Sequence, residues 1–360
     1  MTADAVGGVW TYALDLSRAL AERSVSVALA VMGPRPSGAQ RAQAGMVPRL
    51  TLHEADFRLE WMDDPWDDVR RAGDWLLGLE RLVRPDVIHL NGYCHAALPF
   101  RAPVVVVGHS CVLSWFEAVK GCTAPERYDR YRAEVRRGLH AAAQVVAPSA
   151  AMLGALQRFY GPLRRTQVIP NGRSADRFDR LGKMAKEPAV LAAGRLWDEA
   201  KNLAALDAAA SSLPWNVRVA GDARDPAGRE LSATHVQLVG PLPPDALAGE
   251  MARAEIYALP ARYEPFGLSV LEAALARCAL VLGDIASLRE IWSGCAVFVD
   301  PADPRTLSRA LLDLIADPSR REQLAARSRA RAAELTAARM ADSYLATYLA
   351  LRPPRAEAIA

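Results

Sequence analysis

Two carboxylates, Glu264 and Glu272, bracket a turn that should open a helix, with seven residues between them. The apolar run Ala254-Glu-Ile-Tyr-Ala-Leu-Pro260 reads as a short buried strand. Pro265 and Gly267 then break the chain, and an apolar helix is expected from Leu268 to Ala276. A strand feeding a helix through a tight turn leaves unpartnered N–H groups and the positive end of the helix dipole at the sheet's C-terminal edge, where phosphate or developing negative charge is stabilised. Acids at such a corner either have something specific to bind or are ordinary helix-terminal acids.

A second stretch, Val190-Leu-Ala-Ala-Gly-Arg-Leu-Trp-Asp-Glu-Ala-Lys-Asn202, has the same strand, loop and helix-start layout. Arg195 and Lys201 lie six residues apart in its loop. Lys occurs at only four positions (120, 183, 186 and 201) among 44 basic residues, so a Lys directly before a helix start stands out. A planar guanidinium fork beside a compact ammonium suits a diphosphate, although solvated loop charge would produce the same pair.

The two stretches together, in this order, resemble the signature of retaining glycosyltransferases of family 4/group 1, the glycogen-synthase-like and mannosyltransferase family with the GT-B fold. The likeness runs from Gly7-Gly8 to about Pro304 and is strongest at Gly194–Asn202 and Arg262–Glu272. It implies transfer of a hexose from a UDP- or GDP-sugar to a sugar, lipid or small-molecule acceptor, with no cofactor and no metal. By the same resemblance, Arg195 and Lys201 neutralise the leaving diphosphate beside Gly194. Phe266, Gly267 and Leu268 offer backbone N–H groups, and Leu242 lines the donor side. Glu272 takes the ribose hydroxyls. Glu264 binds the donor sugar and steadies positive charge at the anomeric carbon. Front-side attack, with the leaving phosphate taking the acceptor's proton, is likewise inherited from the family.

The length of 360 residues suits two domains that each bury a core. A formal net charge of +3 is too slight a bias for nucleic acid. Five Cys without a Cys-x-x-Cys pair fit reduced thiols and a cytoplasmic protein. No apolar run reaches the length of a membrane span. The basic stretch Arg127–Arg137 leaves weak peripheral membrane contact open, but its interleaved acids favour a solvated helix face.

Strands alternate with helices along the whole chain, so the expected fold is α/β: two doubly wound, Rossmann-like parallel sheets facing across a cleft. The first domain is expected over 1–172, a linker over 173–187 and the nucleotide-sugar domain over 188–335. A terminal helix within 336–360 should cross back to the first domain, as in GT-B enzymes. Only six residues precede Gly7-Gly8, so the first strand should be mostly missing, with Met1 an internal Met of a longer strand or the chain a shortened product.

In the first domain, Gly7 and Gly8 permit close backbone approach to a ligand, or make a plain turn. His109 follows Val104–Gly108, at the edge where open α/β sheets bind ligands. The family often has a His there touching the donor sugar. Asn91-Gly-Tyr-Cys-His95 is an acceptor-contact candidate, whereas His89 reads as a satisfied core residue. Trp10 and Trp115 offer stacking faces, although burial is the commoner fate of Trp. Asp63-Asp-Pro-Trp-Asp-Asp68 is better read as an acidic helix start through Leu82 than as a metal site. Neither Val6-Gly-Gly-Val nor Ala220-Gly-Asp-Ala provides the Gly-x-Gly-x-x-Gly pattern of a nicotinamide dehydrogenase. A sugar-nucleotide epimerase of the same architecture and a catalytically silent sugar-nucleotide-binding protein remain the alternative readings.

Overall fold

The computed structural model describes residues 1–181, 184–224, 228 and 231–352. It divides into two compact units, Met1–Ser114 with Thr123–Gly172 and the chain from Ala337, and Trp115–Cys122 with Arg173–Thr336.

The first unit runs β1 (Thr2–Asp4), α1 (Gly8–Ala21), β2 (Val27–Met32), α2 (Gly38–Gly45), β3 (Leu50–Glu54), α3 (Trp66–Val83), β4 (Ile88–Leu90), β5 (Val104–Val107), α4 (Val112–Trp115), α5 (Asp129–Ala141), β6 (Gln144–Ala147), α6 (Ala150–Tyr160) and β7 (Thr166–Val168). All its strand pairs are parallel, in two ladders ordered β1-β2-β3 and β4-β5-β6-β7. Asn91 joins the ladders, donating from its backbone N–H to Thr2 Oγ1 (2.8 Å) and from its amide to the Thr2 carbonyl (2.7 Å). The first strand is short: Thr2–Asp4, three residues, pairs in register with Ala30–Met32. β5 is four consecutive valines, all buried, as a parallel strand covered on both faces requires.

The second unit continues with α7 (Asp176–Arg180), β8 (Glu187–Ala193), α8 (Leu203–Ala210), β9 (Asn216–Ala220), β10 (Gln237–Gly240), α9 (Pro244–Arg253), β11 (Ala254–Leu259), α10 (Leu268–Leu275), β12 (Ala279–Gly283), α11 (Ala286–Trp292), β13 (Ala296–Val299), α12 (Pro304–Ala316) and α13 (Pro318–Ala332). Its sheet is parallel throughout, ordered β10-β9-β8-β11-β12-β13. Asp303 and Asp317 each cap a helix that opens on proline, so the two Asp-Pro pairs start α12 and α13.

Two domain assignments change. Residues 173–187, expected as a linker, fold with the second unit: Phe178 of α7 enters its core and Lys186 Nζ donates to the Ala254 and Ala276 carbonyls (2.8 and 2.9 Å). Lys183 lies outside the described residues. Trp115–Cys122, expected in the first domain, also packs with the second unit. The last helix, α14 (Ala337–Leu351), belongs to the first unit, with Tyr344 buried against Tyr12 and His89.

Candidate functional site

The loop after β8 is braced before it presents any charge. Gly194 N–H donates to the Ala220 carbonyl at 3.0 Å, where β8 and β9 end side by side. A Cβ on Gly221 would stand 1.8 Å from the Gly194 oxygen, so only glycine lets the two strand ends approach. Asp198 is buried and works as a hub: Oδ1 accepts from Ala200 N–H and from the Trp115 indole, both at 3.1 Å. Its Oδ2 accepts from the Arg195 guanidinium at 3.1 Å. Arg195 is thus held at one end, over the Trp197 ring, with its side chain 42% exposed. Asn202 takes the left-handed conformation (φ 60°) and donates to the Pro260 and Pro301 carbonyls at 2.9 and 2.7 Å. The clamp loop is thereby pinned to the ends of β11 and β13.

Lys201 Nζ lies 2.6 Å from Glu264 Oε2, which joins the two sequence stretches into one site. Glu264 Oε1 accepts from Gly267 N–H at 2.9 Å and Phe266 N–H at 3.4 Å. Burial alone would raise this carboxyl, but the Lys201 charge and hydrogen bond, with those two N–H groups, hold it below the usual carboxylate range. The expectation that Phe266 and Gly267 offer free N–H groups is corrected here, because Glu264 already caps them. Leu268 N–H lies in the first turn of α10, where helix geometry supplies no internal acceptor. Gly267 caps α10 at φ 89°, where a side chain would be strained and would press on Val270 at 3.0 Å. Leu242 packs, partly buried, against the same core as Phe266.

Glu272 sits on α10 and accepts from the Arg173 guanidinium, a partner 99 residues away. Arg173 is itself buried, with its N–H on the Leu335 carbonyl at 3.0 Å. Sequence reading missed Arg173, and the only signal was an Arg directly after Asn171-Gly172 in a stretch taken as linker.

The first unit carries a separate polar network at the C-terminal ends of β4 and β5. Asn91 Oδ1 meets His109 Nε2 at 2.9 Å and His89 Nε2 at 3.1 Å. His89 Nδ1 lies 2.6 Å from the Tyr348 hydroxyl, and Tyr12 packs edge-on to His109 with centroids 4.4 Å apart. Burial lowers both imidazoles, His89 to about 3 and His109 to about 4, so both are neutral near pH 7. His109 is nevertheless partly accessible, as a ligand-touching residue must be, and His89 is buried. Gly7 caps α1 and Gly8 begins it, both exposed. Three further candidates are placed as follows. Of Asn91–His95, Tyr93, Cys94 and His95 are buried, with the backbone N–H groups of Tyr93 and Cys94 donating to Glu60 and the His95 ring meeting the Val69 carbonyl, whereas Asn91 and Gly92 are partly accessible. Trp10 is buried, with its indole on Gln43 (3.2 Å), and offers no open face. The Trp115 indole N–H donates to Asp198, and the residue is partly accessible. Asp67 and Asp68 do form the acidic first turn of α3.

Set together, the second unit has one tethered guanidinium, one ammonium paired to a buried carboxylate and one helix N-terminus, an arrangement fitted to a phosphorylated ligand. Comparison with known proteins bears on the family and the fold. Residues 6–177 match the family model described as Glycosyltransferase Family 4, and residues 187–317 that of Glycosyl transferases group 1. The chain is 29% identical to a D-inositol 3-phosphate glycosyltransferase of Xylanimonas cellulosilytica, over 91% of this chain and 88% of that one. It is 28% identical to a glycogen synthase of Mycobacterium tuberculosis, over 91% and 86%. Among solved structures, sucrose-phosphate synthase of Thermosynechococcus elongatus superposes with a TM-score of 0.73 at 21% identity, over 97% of this chain and 99% of that one. The Anabaena protein HepE in complex with UDP-glucose gives 0.74 at 17% identity, over the same shares. Among the described residues no helix is long and apolar enough to cross a membrane. The chain, with both halves matched in order and two Rossmann-like units of GT-B type, belongs to the family 4/group 1 glycosyltransferases.

Proposed function

We propose that this glycosyltransferase moves a hexose from a nucleoside diphosphate sugar to a hydroxyl acceptor with retention of anomeric configuration and without a metal. The observation that carries the reading is the Lys201–Glu264 pair beside Arg195 and the start of α10. Arg195 has N–H groups left after its bond to Asp198, and these would take the diphosphate's oxygens. Lys201 would hold the leaving phosphate while tied to Glu264, which keeps the ammonium from swinging to solvent. Preorganised cations of this kind are worth on the order of several kcal/mol once charge builds on the leaving group. Glu264, kept ionised, would steady positive charge at the anomeric carbon. Glu272 would meet the ribose with the oxygen that Arg173 does not hold.

In the step itself, the bond between the anomeric carbon and the phosphate oxygen breaks, and its electron pair stays on that oxygen. The acceptor oxygen bonds to the carbon on the same face, and its proton passes to the departing phosphate. A donor such as UDP-glucose is supported by the solved relative that holds it, and the cytoplasm, where nucleotide sugars are made, is the proposed compartment. The test is a panel of UDP-, GDP- and ADP-sugars with polyol, sugar and lipid acceptors, with and without EDTA, read by NMR of the anomeric proton. Turnover with unchanged configuration in EDTA supports the reading. An inverted product, or a reaction that only manganese or magnesium restores, overturns it.

A further inference from the structure

The hydrogen-bond network in the first unit determines which nitrogen of His109 carries its proton. Thr2 offers Asn91 a carbonyl oxygen, which can only accept, at 2.7 Å. The amide end facing Thr2 is therefore the NH2, and Oδ1 faces the two histidines. An amide oxygen has two lone pairs and no proton, so each imidazole must donate to it through Nε2–H, His109 at 2.9 Å and His89 at 3.1 Å. A neutral imidazole has one N–H. His89 Nδ1 is then bare and accepts from the Tyr348 hydroxyl at 2.6 Å, and the Tyr12 hydroxyl, 3.4 Å from His89 Nε2, can there only accept. His109 Nδ1 is bare as well, and it has no hydrogen-bond partner among the described residues. Tyr12, edge-on at 4.4 Å, limits rotation of the ring.

We propose that Asn91 is a positioning residue that fixes His109 in the Nε2–H tautomer, so that its open nitrogen, Nδ1, recognises a ligand hydroxyl purely as an acceptor. An ionised phosphate oxygen has no proton to give and would meet the lone pair unfavourably. This corner of the first unit therefore selects a polyhydroxylated group over a phosphorylated one. The identity of that group, a hydroxyl of the transferred sugar or of the acceptor, rests on the proposed glycosyl transfer; the tautomer does not.

The decisive measurement is a long-range proton–nitrogen correlation spectrum of the 15N-histidine-labelled protein near pH 7, with the His109 signals assigned through H109N. The expected result is a protonated Nε2 and a bare Nδ1 in the wild type, and a mixture of tautomers in Asn91→Leu. A protonated Nδ1 in the wild type overturns the proposal, whatever the variant does. In turnover, Asn91→Leu should lower kcat/KM by about tenfold, the size of one neutral hydrogen bond, with nucleoside diphosphate affinity unchanged. Donor sugars carrying fluorine in place of one hydroxyl at a time, and acceptors altered in the same way, locate the partner, since fluorine cannot donate. The analogue that slows the wild type but slows His109→Phe no further marks it. Coupling to a donor analogue assigns the transferred sugar, coupling to an acceptor analogue assigns the acceptor, and coupling to neither overturns hydroxyl recognition. Absence of turnover with every nucleotide sugar would instead remove the glycosyl-transfer reading and leave the spectrum to decide the tautomer.

Discussion

Lys201 and Arg195 carry like charges in unlike surroundings, and their loss should read differently. Removing Lys201 strands Glu264, whose side chain is only 14% exposed, as a buried carboxylate without its cation. Lys201→Ala should therefore cost about 3–5 kcal/mol of stability, whereas Arg195→Ala, at a largely open site, should cost under about 1 kcal/mol. Both should weaken nucleoside diphosphate binding by roughly 1.5–3 kcal/mol, one charge-assisted contact each. Urea melts and calorimetry separate the two effects; equal stability losses would mean that the ion pair is not intact in solution. The two glutamates should also part company. Glu272→Gln should chiefly raise the donor's KM and Glu264→Gln chiefly lower kcat, since only the latter group gains strength as charge develops; steady-state kinetics with the reverse pattern would exchange their roles. The acids and cations were legible from type and spacing. Their partners were not, because Arg173, Asp198 and Asn91 matter through contacts that spacing does not encode. Asp198 stands inside the quoted motif, yet nothing about an Asp in a loop announces a buried hub for Arg195, Trp115 and Ala200.

The loop from Gly194 to Asn202 is rigid because its ends are fastened to strands rather than because it is short. Asn202→Gly keeps the left-handed backbone accessible but deletes two hydrogen bonds, so it should cost about 1–3 kcal/mol. Asn202→Ala should cost more, since alanine resists that conformation. Trp115→Phe keeps the ring and loses the donor to Asp198, so donor KM should rise with little change in melting temperature; an unchanged KM would make the Trp115 contact a matter of packing alone. Helices and central strands were readable because their signals are strong. Ala150–Tyr160, Asn216–Ala220 and Pro304–Ala316 fall where apolar period and caps put them. β3 was missed because Leu50–Glu54 is an edge strand of mixed residues, with no fully buried position to give an apolar run. α2 was missed because Gly38–Gly45 buries a single alanine. The supposed linker looked polar because Phe178 is its one buried apolar side chain among the described residues, while Lys186 fastens it through backbone carbonyls.

At the scale of the molecule, each unit must keep its own sheet buried, and the first does so around two neutral histidines. Their folded values of about 3 and about 4 lie below the usual 6.5. The unfolded chain takes up protons that the folded unit refuses as pH falls below about 6.5, so stability present above that pH is lost progressively toward about 3. The first unit's melting temperature should thus be lower at pH 5 than at pH 7.5, and His89→Gln should flatten the dependence; identical melts at both values would show that the rings are not buried neutral. Two Rossmann-like units were visible in the alternating pattern, whereas the assignment of Trp115–Cys122 to the second unit was not, since a pattern says nothing about which core a short segment joins. The division also sets an order in time. During vectorial synthesis, every segment of the second unit has been made once Thr336 emerges, while the first still lacks α14, whose Tyr344 and Tyr348 close over Tyr12 and His89. The half of the protein that is translated first is therefore the half that finishes folding last. A nascent chain held just as Thr336 clears the ribosome would display a second unit with all its segments present and a first unit still lacking α14, the species that chaperones would have to shelter.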